Sequence, residues 1–242
     1  MNAVDDNLST GLTWSAQYGH TSVIELLLEY KCNINQLSRD GSSALIFACQ
    51  SARVEAFFLL LRHGADINII NSKGRNAFIW SCCSNCMEMV EYLVNKISNI
   101  NLADIEHGMT AFMYACKRSS VDAVKFLLFK CDTTLISKDG RTAFHYACST
   151  NCFEIIKLLI FYGKYDAQLQ DDSKKIAFDY LRKDRQEIED YHVNFSPWGR
   201  RKHILTVLVE NGYLSTSACV DRLRHSQVLS DENLVRIIVS YL

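Results

Sequence analysis

Short apolar segments recur in pairs along this chain, and each pair is followed by a polar segment that contains glycine. In the second segment of a pair, aliphatic residues follow one another at helical spacing, as at positions 23–28 and 155–160. A turn sequence such as His-Gly-Ala-Asp-Ile-Asn, at positions 63–68, closes the pair. The pattern predicts a helix, a turn, a second helix and an extended loop, repeated along the chain.

The repeat stays in register over five units. A Thr, Ser or Asn opens each unit, and the spacings between these residues are 33, 33, 34 and 32 positions: Thr10, Ser43, Asn76, Thr110 and Thr142. Leu or Phe follows two residues later, and a small pair such as Ala147-Cys148 follows at the fifth and sixth positions. The opening side chain suits a helix N-cap, and the small pair lets two antiparallel helices approach closely. Because one unit cannot bury its apolar face alone, stacking must supply the core.

With these motifs the chain resembles the ankyrin-repeat family. The closest matches are Gly-Ala-Asp-Ile-Asn at 64–68 and Asp-Gly-Arg-Thr-Ala-Phe-His-Tyr-Ala-Cys at 139–148, and the resemblance covers about residues 5–180. It implies an all-α solenoid of stacked helix-turn-helix units, with finger loops between units and a helical cap at the C-terminal end. Two departures stand out: the family proline after the cap is absent in all five units, and the family histidine occurs only as His145.

A sixth unit begins at Asp171, since Ala177-Phe178 repeats Ala143-Phe144 after 34 residues. A polar stretch then precedes the next apolar pattern, which indicates either an insertion at about 182–199 or a lengthened first helix. We therefore expect an ankyrin-repeat domain over residues 5–213 and a helical tail over 214–242. The tail is either a cap for the solenoid or a docking segment.

Composition argues against several classes of function. A formal net charge of -1, with 48% hydrophobic and 22% charged residues, gives no electrostatic reason to expect nucleic acid or membrane as a partner. The chain has no apolar stretch of about 20 residues and no basic, apolar signal at its start. We expect a monomer in the cytoplasm or nucleus, where the ten cysteines would be thiols.

The sequence offers no catalytic or cofactor motif, because it lacks a P-loop, a dinucleotide-binding glycine pattern, a nucleophile elbow and a His-Glu-x-x-His pair. Neither an enzyme nor a cofactor is expected. Four cysteines occupy the small-residue position of successive units, which predicts packing rather than metal binding: Cys49, Cys82, Cys116 and Cys148. Cys83 and Cys86 leave ligation or regulated oxidation open.

An aromatic residue recurs in every unit and is the main candidate for partner binding: Trp14, Phe47, Trp80, Tyr114, Tyr146 and Tyr180. The resemblance places this position on the first helix, near the concave face that meets partners. The rings would either contact a partner or cover neighbouring helices. The resemblance also makes the finger loops a contact surface, with candidates Arg39, Arg75 and Arg141.

The function predicted is a non-catalytic scaffold that binds another protein through the concave face and fingers. One alternative is a substrate-recruiting adaptor of a ubiquitin ligase, because residues 229–242 look similar to the first helix of F-box-like segments and, more loosely, to the end of a SOCS box. Another is a regulatory subunit of an enzyme. Fold alone does not separate these functions.

Overall fold

The computed structural model describes residues 5, 10–162 and 164–181. These residues form ten α-helices and a 3₁₀ helix, with isolated bridges in place of strands: α1 (Gly11–Tyr18), α2 (Thr21–Glu29), α3 (Ala44–Gln50), α4 (Val54–Arg62), α5 (Ala77–Cys83), α6 (Met87–Val94), α7 (Ala111–Lys117), α8 (Val121–Leu127), α9 (Ala143–Thr150), α10 (Phe153–Tyr162) and the 3₁₀ helix (Ala177–Tyr180). The all-α repeat fold is confirmed. Ile160–Tyr162 fall in a second compact unit, and the account below concerns the first.

The helices stack in two rows. The odd-numbered helices form an inner row from α1 to α9 that ends with the 3₁₀ helix, and α2, α4, α6 and α8 form an outer row. The Leu or Phe near the start of each inner helix is at most 2% exposed: Leu12, Leu45, Phe78, Phe112 and Phe144. Burial of one such side chain contributes roughly 1.5–3 kcal/mol. Because every one of these units buries such a side chain, the core is continuous from unit to unit.

The predicted N-caps are present in all five units. The side chain of each opening residue accepts a hydrogen bond from the backbone N–H of the third helical residue: Thr10, Ser43, Asn76, Thr110 and Thr142. Ile176 occupies the same position in the sixth unit and has no oxygen to accept this bond. There the helix is a single 3₁₀ turn that ends at Tyr180, because Leu181 is extended with φ -69° and ψ 127°.

This early end argues against a lengthened first helix in the sixth unit. The alternative, an insertion at about 182–199, lies outside the described residues, as does the tail over 214–242.

The loops between units are five fingers: finger 1 (38–42), finger 2 (71–75), finger 3 (104–109), finger 4 (137–141) and finger 5 (171–175). Each finger after the first donates one backbone N–H to a carbonyl of the finger before it, at 2.8–3.1 Å: Ser72 to Asp40, Ile105 to Lys73, Lys138 to His107 and Asp172 to Asp139. Successive fingers are therefore held in one hydrogen-bonded row.

Gly74 allows one of these close contacts. Its φ is +77°, and a Cβ added there would lie 2.6 Å from the Ile105 backbone nitrogen, which is the donor to Lys73. Any side chain at this position would separate fingers 2 and 3.

We predict that Gly74→Ala lowers the free energy of unfolding by about 3 kcal/mol, because it combines backbone strain with this clash. Gly64→Ala is the matched control: Gly64 has φ +87° but nothing within 4 Å of the added Cβ, so it carries strain alone. Urea unfolding of both variants measures the difference. Equal losses would show that the contact between fingers contributes no stability.

Candidate protein-interaction surface

The six recurring aromatic residues form a column, of which only the N-terminal member, Trp14, is exposed. Trp14 is 41% exposed, its ring stacks on Tyr18 at 5.8 Å and an interplanar angle of 9°, and its Nε1 donates to Asp5 Oδ2 at 3.0 Å. Tyr18 is 55% exposed and also stacks on His20. Stacking and the Asp5 hydrogen bond orient the Trp14 ring while a large apolar area stays open to solvent.

The other five rings are covered to different degrees. Phe47, Trp80 and Tyr180 are half-buried, whereas Tyr114 and Tyr146 are buried, with 6% and 4% exposure. At Tyr114 and Tyr146 the ring covers neighbouring elements, which is the second of the two roles considered for this position. The six positions therefore differ in exposure and do not share one environment.

Arg75 clamps finger 2 to finger 3. Its Nε lies 3.0 Å from Asp104 Oδ2 and its Nη2 lies 2.8 Å from Glu106 Oε2. The guanidinium also lies over two rings, 5.5 Å from the Trp80 centroid and 5.2 Å from that of Tyr114. The Tyr114 hydroxyl donates to Asp104 Oδ2 at 2.8 Å, so an arginine, a carboxylate and a tyrosine form one cluster.

The same cluster recurs two units later. Arg141 Nε lies 2.9 Å from Asp171 Oδ2, and its guanidinium lies 4.6 Å from the centroid of the Tyr180 ring. Tyr180 donates its hydroxyl hydrogen to Asp171 and accepts from Arg141 Nη2 at 2.6 Å. Arg75 and Arg141 thus make inter-unit contacts within the chain, whereas Arg39 is exposed and has no hydrogen bond or ion pair with any described residue.

Asp104 and Asp171, the aspartates that pair with Arg75 and Arg141, are held in the charged form. Burial by itself would raise the pKa of Asp104, but hydrogen bonds from the Met109 backbone, Tyr114 and Arg75 outweigh burial and lower it. The pKa of Asp171 is lowered in the same way, because the hydrogen bonds from Tyr180 and Arg141 outweigh burial.

No such clamp joins fingers 3 and 4. Met109 stands where Arg75 and Arg141 stand in their fingers, and Ser137 replaces the aspartate. The Tyr146 hydroxyl instead donates at 3.1 Å to Ser137 Oγ and at 3.0 Å to Asp139 Oδ1, and Lys117 Nζ lies 5.5 Å from the ring centroid. A groove of about 310 Å³ opens here between fingers 3, 4 and 5.

A row of exposed aliphatic side chains runs along the fingers, and none of them is among the contact residues predicted from the sequence. Leu37, Ile70 and Ile136 directly precede fingers 1, 2 and 4 and are 40%, 50% and 58% exposed, and Ile105 in finger 3 is 61% exposed. The signal was available, because positions 37, 70 and 136 are multiples of 33 residues apart. Apolar residues at a position expected to face solvent mark a contact surface.

Comparison with known proteins agrees with this architecture. The sequence matches the family of ankyrin repeats (3 copies) over residues 1–71, 60–136 and 99–172. The chain belongs to the ankyrin-repeat family. Its structure is similar to the crystal structure of the ankyrin repeat domain of Bcl-3, a member of the IkappaB protein family, with a TM-score of 0.64 and 22% identity over 78% of this chain and 84% of that one. The curated proteins contain no match.

The four cysteines at the small-residue position lie in the packed interior of the ankyrin repeats. Cys49, Cys82, Cys116 and Cys148 are fully buried, and burial raises the pKa of each thiol. Burial also raises the pKa of Cys83, to about 11. Such thiols are poor nucleophiles and poor metal ligands. Across residues 10–162 and 164–181, no group of three or more His, Cys, Asp or Glu side chains is placed to hold a metal ion.

Among the described helices of the ankyrin repeats, none has the length and apolar character needed to cross a membrane.

We predict that Asp104→Asn lowers the free energy of unfolding at pH 7 by about 2 kcal/mol, because Arg75 loses the buried one of its two charged acceptors. The folded-state pKa of Asp104 is lowered, so its contribution is complete above the ordinary aspartate pKa of about 3.9 and is lost as the pH falls through the folded value. Thermal unfolding between pH 7 and pH 3 should therefore show a shallower acid loss in Asp104→Asn than in wild type.

Asp172→Asn is the control for this prediction, since Asp172 is exposed and forms no ion pair with any described residue. The account of the clamp would be wrong if both variants followed the same stability profile with pH.

Proposed function

We propose that this ankyrin-repeat protein is a non-catalytic scaffold that binds a partner protein along its row of fingers. The observation that carries the proposal is the row of exposed aliphatic side chains formed by Leu37, Ile70, Ile105 and Ile136. Water-exposed apolar side chains gain free energy when a partner covers them, and three of these four recur at the unit spacing: Leu37, Ile70 and Ile136.

The fingers are suited to this role because they are held in place before binding. Backbone hydrogen bonds join each finger to the next, and the clamps at Arg75 and Arg141 fasten two of these junctions with ion pairs. A preformed surface loses little conformational entropy on association, so more of the contact free energy appears as affinity.

Trp14 extends the proposed surface at the N-terminal end of the inner helices. Its ring is open to solvent and oriented by Tyr18 and Asp5, which is the property of an aromatic anchor at an interface. Of the aromatic positions proposed from the sequence, Trp14 is the one that we retain as a direct contact. Arg39 is retained for the same reason, since its exposed side chain has no competing bond among the described residues.

We also propose that the protein is a monomer in the cytoplasm or nucleus. A reducing compartment fits the free thiols of the described cysteines. The ubiquitin-ligase adaptor differs from it only in the role of residues 229–242, which lie outside the described residues.

The experiment is affinity purification of the full chain with mass spectrometry. We predict that Ile70→Lys with Ile136→Lys loses a defined partner protein at least tenfold, because two ammonium groups would be buried in the interface. The matched control is Val23→Lys with Leu26→Lys, which changes two aliphatic side chains of similar exposure, 44% and 51%, on outer helix α2.

The control variant should retain the partner. Retention of the same proteins by both variants would contradict a finger interface, provided that circular dichroism shows both to be folded. A chain ending at Val228 distinguishes the ubiquitin-ligase adaptor from the scaffold: loss of ligase components from this truncation alone would support the adaptor.

A further inference from the structure

One arrangement of side chains occurs three times in the described part of the chain. An aspartate stands nine or ten residues before the aromatic residue of an inner helix, and the ring donates a hydrogen bond from its N–H or O–H group to that aspartate: Trp14 to Asp5, Tyr114 to Asp104 and Tyr180 to Asp171. Asp5 therefore occupies at the N-terminal end the position that the other two aspartates occupy in fingers 3 and 5. The N-terminal copy can be compared directly with the two copies inside the stack.

The two copies inside the stack each hold an arginine from the preceding finger. Arg75 Nε lies 3.0 Å from Asp104 Oδ2, and Arg141 Nε lies 2.9 Å from Asp171 Oδ2. Each guanidinium also lies over the tyrosine ring that donates to the same aspartate, at 5.2 Å and 4.6 Å from the ring centroid. The carboxylate supplies charge and the ring supplies a π face, so the two together recognise a guanidinium.

The residue before the N-cap changes together with the residue that opens the next finger. Where the next finger opens with aspartate, this residue is an arginine, Arg75 or Arg141. Where the next finger opens with serine or asparagine, this residue is uncharged: Ser9 before Ser38, Ser42 before Asn71 and Met109 before Ser137. Asn71 Nδ2 donates to Ser42 Oγ at 3.2 Å, so the two positions are in contact at a neutral junction as well. An aspartate at this position therefore goes with an arginine from outside its own unit.

At the N-terminal end the aspartate and the ring are present without the arginine. No unit precedes α1 among the described residues, and positions 1–9 contain neither arginine nor lysine. The described cations that lie over rings of the aromatic column cover other members and leave Trp14 uncovered: Trp80, Tyr114, Tyr146 and Tyr180. Trp14 is accordingly 41% exposed, whereas Tyr114, which Arg75 covers, is 6% exposed. The ring that an arginine covers elsewhere is open to solvent here.

An aspartate at this position accepts an arginine in addition to its other hydrogen bonds. Asp171 accepts from two backbone N–H groups of its own finger, at 2.9 Å and 3.1 Å, as well as from Tyr180 and Arg141. Asp5 is exposed, so a guanidinium can approach it from solvent. The hydrogen bond from Trp14 to Asp5 holds the ring beside the carboxylate before binding, which reduces the entropy lost on association.

We propose that Asp5, Trp14 and Tyr18 bind an arginine side chain of the partner protein, which lies on the Trp14 ring and pairs with Asp5. The inference rests on the proposed function, because it names the side chain that the partner presents to the contact at Trp14. Arginine fits better than lysine, since a planar guanidinium can lie over a ring and donate to a carboxylate at the same time. The partner thus supplies what Arg75 and Arg141 supply inside the stack.

The first test titrates the full chain at constant ionic strength with the peptide acetyl-Gly-Arg-Gly-amide. The indole N–H NMR signal of Trp14, one of three tryptophans, reports binding at the site. We expect a saturable shift with a dissociation constant of order 10 mM. The peptide with citrulline in place of arginine, which has the same shape without the charge, should bind at least about fivefold more weakly, and the lysine peptide about threefold more weakly.

Three results would overturn the inference. They are the absence of a shift at Trp14, equal binding of the citrulline peptide, and equal binding of the lysine peptide, which would remove the assignment to arginine.

Two variants test the parts of the site. Asp5→Asn keeps an oxygen that can accept from Trp14 but loses the charge, so the arginine peptide should bind about threefold more weakly. Trp14→Leu removes the ring and should weaken binding about fivefold, as followed by the Tyr18 amide signal. The matched control is Asp122→Asn, which removes an exposed carboxylate on α8 and should bind the peptide as wild type does. Equal effects of Asp5→Asn and Asp122→Asn would show that overall charge alone attracts the peptide and would overturn the site.

Arg75→Ala tests the comparison between the N-terminal end and the stack. Removal of this arginine leaves Asp104 and Tyr114 without their cation, so the arginine peptide should bind a second time and shift the Tyr114 amide signal, which it should not do in wild type. Absence of this second shift in folded Arg75→Ala would overturn the comparison. If Arg75→Ala does not fold, the titrations of Asp5→Asn and Trp14→Leu decide the question.

The arginine site and the finger interface can fail separately. Asp5→Asn and Trp14→Leu should weaken a partner captured by wild type, whereas Asp122→Asn should not. A partner that binds all three variants as it binds wild type would overturn the arginine inference while the finger interface stands. Retention of the partner by Ile70→Lys with Ile136→Lys, together with a normal shift of Trp14 by the peptide, would overturn the finger interface alone.

Discussion

Every unit of this protein has an apolar face that only the next unit can cover. The phenylalanines at the starts of α5, α7 and α9 are almost completely buried because a neighbouring helix pair covers them. Stacking therefore determines more than the core. It fixes the distance at which successive fingers meet, and that distance allows the backbone hydrogen bonds from Ser72 to Asp40 and from Ile105 to Lys73. The glycine at position 74 is a consequence of this spacing, since no side chain fits there.

The polar contacts between units use the same spacing in a second way. Arg75 and Arg141 each reach from one finger to an aspartate of the next, and a tyrosine of the following inner helix donates to that aspartate. Because each aspartate also accepts backbone N–H groups of its own finger, one carboxylate joins a finger, a helix and the preceding finger. The junction at Met109 lacks this connection, and the absence leaves a groove in an otherwise regular row.

The unit boundaries, the inner and outer helices and the five caps could be predicted from sequence because each depends on residues within one unit. Thr142, for example, caps a helix that begins at the next residue. The environment of the aromatic column could not be predicted in this way. The exposure of each ring depends on contacts outside its own helix turn: Tyr114 donates to Asp104 of the finger that precedes its helix and is buried, whereas Trp14 donates to Asp5, stacks on Tyr18 and stays exposed.

Arg75 and Arg141 illustrate the same limit. Both are charged residues in loops, which is the usual pattern of a solvated or partner-binding position, and only the stacked structure shows that they reach the neighbouring finger. Conversely, the aliphatic residues at positions 37, 70 and 136 recur at the unit spacing and could have been recognised as a surface feature from the sequence. Periodicity identifies positions that share an environment, but the contacts between units determine what that environment is.

The most direct measurement of the proposed finger interface is site-specific photo-cross-linking in cells. A photoreactive amino acid at position 136, next to finger 4, would be compared with one at position 91 on outer helix α6, where the exposed Glu91 is replaced. The finger interface predicts cross-linking of one defined protein from position 136 and none of it from position 91. Cross-linking of that protein from position 91 alone would contradict the account, because the partner would then lie on the outer helices.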